Sequence, residues 1–472
     1  MTGQGSPKKI RLAFVLASLT HSAGMNIVTV LALRYFTDNL AMAASVAGLL
    51  FAVVKIYDGI LDPLLGAASD RTRSPIGRRL PYLLIGSVLM AITVVLLFAA
   101  PSSLSGPGLW LYVALILVVH ASAYTALTIP GMAMVVEVTN DYHERSTLMS
   151  YRVIGNTVGL LVGSTLPTWL LAHWGADRSG HIKVAVVVAT VVALAGVAAT
   201  VMLLNAPRTT MQDKDRLRLR DFGRQLRLAW QNQPFRMLAL AHIFVLIGTA
   251  TTSVTNAYFS RYVLQRTDNW LGNYYLLATI GVFASMPLWL RAARRAGKKR
   301  CYAVAMLGFG LAHLTWLSAG AGEAYALLVA RALVTGVFSA GLILFAYSML
   351  SDAIRFDYIQ TGLRREGAFA GITSLLDKIS AAAGIAGVGI LMSAMGYVES
   401  RSGGLQAQSD SAIQAIYIGF AVIPAIAMLI SLLAIVRYRL NAEDLLESRR
   451  SEADRLDDDL NQSHVAADRA SS

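Results

Sequence analysis

The sequence predicts an all-α polytopic membrane protein, with twelve transmembrane helices in two pseudo-symmetric bundles of six. Three observations carry that expectation. Of 472 residues, 55% are hydrophobic and only 15% charged, and the mean hydropathy of +0.54 describes a chain that lives mostly in lipid. Apolar runs of roughly twenty residues, the length that crosses the hydrocarbon layer, recur along the whole chain. The second half of the chain repeats the layout of the first.

In order, the runs are 10–36, 43–68, 80–100, 109–137, 147–173 and 184–204, then 237–263, 271–292, 301–320, 324–350, 368–395 and 413–436. They divide the chain into an N-terminal bundle over 1–205, a linker over 206–235, a C-terminal bundle over 236–438 and a tail over 439–472. The linker places Leu217, Leu219, Phe222, Leu226 and Leu228 among basic residues, a pattern for an amphipathic helix on the membrane surface. The tail is polar, without a sustained apolar face, and is expected to become disordered.

The net charge of +13 and isoelectric point near 9.9 come from short basic blocks between apolar runs, which disfavours nucleic acid as a partner. RTRSPIGRR after the second run, the linker, and RAARRAGKKR after the eighth all fall on one side, so that side and both termini are expected to be cytoplasmic, in the plasma (inner) membrane. The opposite loops, among them TDNLAMA and SAGAGEAY, carry almost no Lys or Arg. The single cysteine, Cys301, excludes an internal disulfide and reads as a small apolar residue.

Runs two and eight each end in a basic turn, and runs four and ten each lead into an acid-rich stretch followed by arginine: EVTNDYHERSTLMSYR from Glu137 and SDAIRFDYIQTGLRREG from Ser351. A parallel repeat of six spans is the architecture of the major facilitator fold, whose halves rock about a site near the bilayer midplane. The second run carries Lys55, Asp58 and Asp62 at spacings of three, four and seven residues, so all three charges share one helical face. Intramembrane charges are expensive unless they face protein, water or a counter-charge, and by default they mark an ion or substrate path.

The stretch KIYDGILDPLLGAASDRTRSPIGRRLPYLLIG resembles the second-helix signature of the glycoside-pentoside-hexuronide:cation symporters, the melibiose-permease family. RYFTD at the end of the first run, YTALTIP in the fourth, SYR opening the fifth and GLRREGAFAG with LLDKISAA in the eleventh resemble the same family. The resemblance implies a secondary transporter, without a cofactor, that couples a small solute to a monovalent cation by alternating access. It implies a cation site of Asp58, Asp62 and Thr125, with sodium or a proton as the ion and Lys378 as the coupling residue. Sodium users of the family often have Asn before the second Asp, where this chain has Leu61.

On the substrate side the resemblance points to Ser22, Asn26, Lys55, Tyr124, Thr128 and Arg152, with His21 beside them. Ser22 and Thr128 stand where sugar transporters of the family hold carboxylates, so a melibiose-like galactoside is disfavoured. Lys55, Arg152 and Lys378 set three positive charges against two negative ones, which leaves positive charge for a uronide, another organic anion or an anionic amphipathic lipid to meet. Arg152 has the planar fork that grips a carboxylate in two places. The turn after the second run, with Asp70, Arg71, Arg73, Gly77, Arg78 and Arg79, resembles the family's cytoplasmic latch. Its arginines are expected to pair across the halves with Glu144, Asp352 or Asp357 when the cavity opens outward.

Plainer readings apply elsewhere. His21, His120 and His242 read first as helix-packing histidines, and no pair has metal-ligand spacing. The small-residue runs 155–163 and 381–389 read as close-packing surfaces, and Pro63 and Pro130 as tolerated helix kinks. The lipid bilayer is the obligate surrounding, and a monomer is expected. Two readings of other classes are an intramembrane prenyltransferase, holding magnesium on Asp58 and Asp62, and a non-transporting receptor. The enzyme would need a second intramembrane acidic motif, and Asp352 and Asp357 read as a polar cytoplasmic turn instead.

Overall fold

The computed structural model describes residues 8–139, 141–206, 229–361, 365–400, 403 and 406–440. The linker's amphipathic stretch with Leu217, Leu219, Phe222, Leu226 and Leu228, and the tail from 441, lie outside them. Among the described residues twelve helices are long and apolar enough to cross a membrane: α1 Lys8–Asp38, α2 Ala44–Arg71, α3 Leu80–Phe98, α4 Gly106–Val138, α5 His143–Trp174, α6 Arg178–Leu203, α7 Gln233–Val263, α8 Asp268–Ala296, α9 Lys298–Ser318, α10 Tyr325–Thr361, α11 Ala368–Ala394 and α12 Asp410–Val436.

Local chemistry sets several ends. Asp141, Asp177, Asn232 and Ser409 each accept a backbone amide of the first turn that follows, those of Glu144, Gly180, Phe235 and Ala412, which satisfies donors that have no partner inside the helix. Gly175 and Gly297 sit at φ of 91° and 83°, where a side chain is strained, and close α5 and α8. One expectation needs correction. α10 runs on to Thr361, so Asp352 and Asp357 lie on its last turns rather than in a loop, because the helix can continue into water once its apolar stretch is complete.

Within the first half α1 packs on α5 and α6, α2 on α4, and α3 on α4 and α6. Adding six to each number gives the second half: α7 on α11 and α12, α8 on α10, and α9 on α10 and α12. The halves meet chiefly along α2 with α11 and α5 with α8, contacts that exchange under the same operation. Glycines make these seams. A Cβ on Gly155, Gly159 or Gly163 would run into the α1 backbone at Val15, Leu19 and Ala23, and one on Gly389 would strike the carbonyl of Ala44. Both small-residue runs are thus close-approach faces, where dispersion contact between backbones replaces the hydrophobic effect that lipid removes.

Bonds between the halves gather at the end of the bundle that carries loop 39–43. Arg34 of α1 donates from Nη1 to Asp268 of α8 at 2.6 Å. Asp38 accepts from Tyr397 at 2.6 Å and Tyr262 at 2.9 Å, and Arg261 of α7 lies 3.9 Å away. Thr37 meets Tyr258 at 2.9 Å, while backbone bonds join Ala41 to Ser400 and Ser400 to Thr37. Each half therefore sends an arginine, from Arg34–Tyr35 and Arg261–Tyr262, towards a carboxylate of the other. Both arginines follow or sit in a wide π turn, Val28–Ala32 and Phe259–Val263, which re-aims the side chains beyond it.

Among the described residues, ion pairs at the opposite, basic end stay within a half. Arg11 pairs with Glu144 at 3.4 Å, Arg78 with Glu137, Arg79 with Asp70 at 2.8 Å, Lys298 with Asp352 at 2.6 Å and Arg365 with Asp357 at 3.8 Å. The pairs expected across the halves do not form in this conformation, since each acid already has a base on its own side. Arg71 is exposed on the last turn of α2.

Candidate functional site

Where α2, α4 and α11 meet, four of the expected residues converge. Asp58 and Asp62 lie one turn apart on α2 and face the Thr125 hydroxyl of α4, which reaches Asp58 Oδ1 at 2.7 Å and Asp62 Oδ1 at 3.1 Å. Having one proton, that hydroxyl donates to one carboxylate at a time and leaves lone pairs for an ion. Lys378 crosses from α11 of the other half, with Nζ 2.5 Å from Asp62 Oδ2, 3.1 Å from Asp58 Oδ2 and 2.8 Å from the Asp58 carbonyl. α2 and α11 approach closely here: a Cβ on Gly59 would lie in ordinary contact with the lysine stem at 3.5 Å and slightly tight against the end of Leu375 at 3.3 Å.

Asp58 is almost wholly buried and Asp62 nearly so, with side chains 2% and 15% exposed. Two carboxylates at this depth repel, so the ammonium holds the place that a cation would take. Ser374, one turn before Lys378, donates to Asp62 Oδ2 at 3.3 Å. Sequence reading missed it, although its spacing of four residues from Lys378 put it on the same face. Among the described residues no group of three or more His, Cys, Asp or Glu could hold a metal ion. The oxygen ligands at hand are two carboxylates and the hydroxyls of Thr125 and Ser374, a set suited to one small cation.

The expected substrate residues divide. Lys55 lies on the same face as the carboxylates but outside ion-pair range, its ammonium 3.9 Å from the Met25 sulfur. Tyr124 meets the His21 ring edge to face at 6.0 Å. Arg152 is buried against Gly131, one helical step beyond Pro130. Arg11 is the base on Glu144, so Arg152 does not have it as an ion-pair partner. Ser22, Asn26 and Thr128 each donate to a backbone carbonyl, Ser22 to that of Asn156 at 2.7 Å, Asn26 to that of Ser22 at 2.8 Å, and Thr128 to that of Tyr124 at 3.0 Å. Their polar groups serve the α1–α5 seam and the α4 backbone, because a polar hydrogen inside a membrane helix is satisfied first by the nearest carbonyl.

Two histidines fit the packing expectation. His21 engages the Ala17 carbonyl at 3.1 Å and His120 meets Thr93 at 2.9 Å. His242 adds a third, tied between two packed helices: its Nε2 lies 2.8 Å from Asp377 Oδ1 on α11. Asp377 stood in view beside Lys378, but no local signal says that a carboxylate on one helix meets an imidazole on another.

Comparison with known proteins agrees with this architecture. Residues 13–442 match the family described as MFS/sugar transport protein. The isoprimeverose transporter of Lactiplantibacillus pentosus is 25% identical over 467 residues, 96% of this chain and 94% of that one. The putative glycoside/cation symporter YagG of Escherichia coli K12 is 26% identical over 407 residues, 84% and 85%. Among solved structures, a bacterial homologue of the human lysosomal transporter Spinster, inward-facing and unoccupied, aligns with a TM-score of 0.67 at 15% identity, over 94% of this chain and 99% of that one. These are transporters rather than enzymes, which removes the prenyltransferase reading. The chain therefore belongs to the MFS/sugar transport protein family, as a secondary transporter of the glycoside-pentoside-hexuronide:cation symporter type with the major facilitator fold.

Proposed function

We propose that the chain is a cation-coupled symporter of a small sugar-like or organic solute that carries negative charge, working by alternating access as a monomer in the cytoplasmic membrane. The observation that carries this reading is Lys378 lying across Asp58 and Asp62, since carboxylates and ammonium come from different halves. A cation entering between the carboxylates displaces the ammonium and removes a tie between α2 and α11. The ion thus has different affinity for the two arrangements of the halves, and that difference couples it to the solute. Sodium and a proton both fit as the ion. The basic loops support cytoplasmic termini, and on that reading the end sealed by Arg34 and Asp268 faces outward and the basic end faces inward.

Lys55 and Arg152 support a negatively charged solute, because Lys55 shares a helical face with the carboxylates, Arg152 is buried against α4 at Gly131, and neither has a carboxylate in ion-pair range among the described residues. Relatives named as carriers of isoprimeverose and of glycosides support a sugar-like one. The latch reading of Arg78, Arg79, Glu144, Asp352 and Asp357 applies to the outward-open state, in which their present partners would be exchanged.

The test is accumulation of labelled glucuronides and neutral glycosides in proteoliposomes under an imposed sodium or proton gradient. Asp58→Asn and Asp62→Asn abolish cation-driven accumulation while downhill solute exchange survives, and Arg152→Ala weakens binding of the charged solutes more than the neutral ones. Full cation-dependent accumulation by both Asn variants would reduce the helix-two charges to structural partners.

A further inference from the structure

Three carboxylates stand well inside the described transmembrane helices, Asp58, Asp62 and Asp377, and the third is held differently from the other two. Asp58 and Asp62 are taken by Lys378. Asp377 has neither Lys nor Arg in ion-pair range among the described residues, and only its Oδ1 is engaged, by His242 Nε2 at 2.8 Å. Its Oδ2 has no partner among them and is not a buried atom, and the side chain is 34% exposed. An intramembrane carboxylate left open in this way marks a place where a polar group comes to meet it.

The surroundings say what that group is. On α11 the helical period sets Asp377 between Thr373, which shares a cavity wall with α7, and the face of Ser374 and Lys378, which turns to α2. Tyr347 of α10 is 56% exposed and meets the His242 ring edge to face at 6.5 Å. It lies within electrostatic reach of Asp377 and, in the other half, of Tyr124, which is itself within reach of Arg152. α4 and α10 are not a packed pair, so the two tyrosines approach through their side chains, with open space about Tyr347. Arg152 and Lys55 can only donate hydrogen bonds, and Asp58 and Asp62 are already claimed. The unclaimed acceptor is Asp377, with an exposed aromatic ring beside it. His242 fixes its rotamer through Oδ1 and leaves Oδ2 for a ligand, the support that a binding group needs from a neighbour. The negative charge also turns the acidic end of a solute away from α11 and towards Arg152.

We propose that Asp377 is a solute-binding residue of the C-terminal half, accepting hydrogen bonds from the hydroxyl groups of a ring acid whose carboxylate lies on Arg152 in the N-terminal half. The assignment rests on the symporter reading and narrows its solute to a polyhydroxylated acid of the uronide class, against a hydroxyl-poor organic anion or an anionic lipid. A solute held in this way touches both halves, at α5 and at α11. His242 is the positioning residue, tying the carboxylate to α7.

The test measures binding of two probes to the full chain in nanodiscs of phosphatidylethanolamine and phosphatidylglycerol. One is methyl β-glucuronide; the other is cyclohexanecarboxylate, which has the same ring size and charge and no hydroxyl. The readout is the ratio of their dissociation constants, because a loss of folded protein, or of repulsion between Asp377 and an anion, acts on both probes alike. The parent binds the glucuronide more tightly. Asp377→Ala cuts that preference by about tenfold or more, the effect of losing hydrogen bonds to a charged group. Asp377→Asn, which keeps an acceptor for His242, cuts it by less and serves where the alanine variant does not fold. Arg152→Ala weakens both probes and leaves the preference in place. A preference unchanged in the folded Asp377 variants would overturn the assignment and leave Asp377 as a tie between α7 and α11. A parent that binds neither probe, or binds both equally, would overturn it as well. The symporter reading fails separately, on cation-driven accumulation, which this binding measurement does not involve.

Discussion

The two ends of the bundle are built from the same residue types and use them in opposite ways. At the end with loop 39–43, Arg34, Asp38, Arg261 and Asp268 bond from one half to the other and are almost fully withdrawn from solvent, with Arg34 and Asp38 side chains 1% exposed. At the basic end Arg78, Lys298 and their carboxylates bond inside a half, and the Arg78 and Lys298 side chains are 36% and 42% exposed. The difference shows how the fold holds one conformation. Buried charges that cross the interface lock it, because separating them strands a charge in low dielectric, whereas exposed pairs within a half leave that half free to move as a body.

The largest effect is therefore expected at the closed end. Arg34→Gln or Asp268→Asn leaves a buried charge without its partner, a loss of about 3–5 kcal/mol, and shifts the population towards the state open at that end. Alkylation of a cysteine introduced at Ser393, beside the bond from Ser45, reports the opening, and unchanged reactivity would show that the pair is no lock. The exchanged double variant, Arg34→Asp with Asp268→Arg, recovers part of the loss if charge rather than shape is what matters.

A middle effect belongs to the α2–α11 seam. Gly389→Leu wedges a side chain into the Ala44 carbonyl, an overpacking worth about 1–3 kcal/mol, and prises the closed end apart without touching a charge. If it raises reactivity at the same cysteine as Arg34→Gln does, packing and ion pairs act together; a fall in melting temperature alone would assign the glycine to folding.

The smallest effect is expected at the basic end, where Arg78→Gln or Arg79→Gln changes stability by about 1 kcal/mol or less, since these pairs are partly exposed. Their consequence is kinetic. Transport slows while solute binding stays measurable, if Arg78 and Arg79 trade Glu137 and Asp70 for partners on the other half in the other state. Unchanged transport by correctly inserted protein would confine them to the loop they now hold.

Much of this was legible before any coordinates. Twelve apolar runs, the repeat, and the close-packing glycines follow from composition and spacing, because a chain in lipid must satisfy its backbone inside each helix and has few other ways to fold. The face of Lys55, Asp58 and Asp62 also follows from helical period alone. Ser22, Asn26 and Thr128 show what local pattern leaves open: each has the chemistry of a solute contact, and each donates to a carbonyl whose nearness depends on how α1 meets α5 or on the backbone it belongs to.

What the sequence by itself determined was which charges lie in the membrane and on which side of a helix they stand. Only the tertiary structure decided their partners: Lys378 across Asp58 and Asp62, Arg34 on Asp268, His242 on Asp377. Those pairs join residues 316, 234 and 135 positions apart. Helical period acts over a turn or two, while the choice of partner is made by which glycine faces let two helices approach.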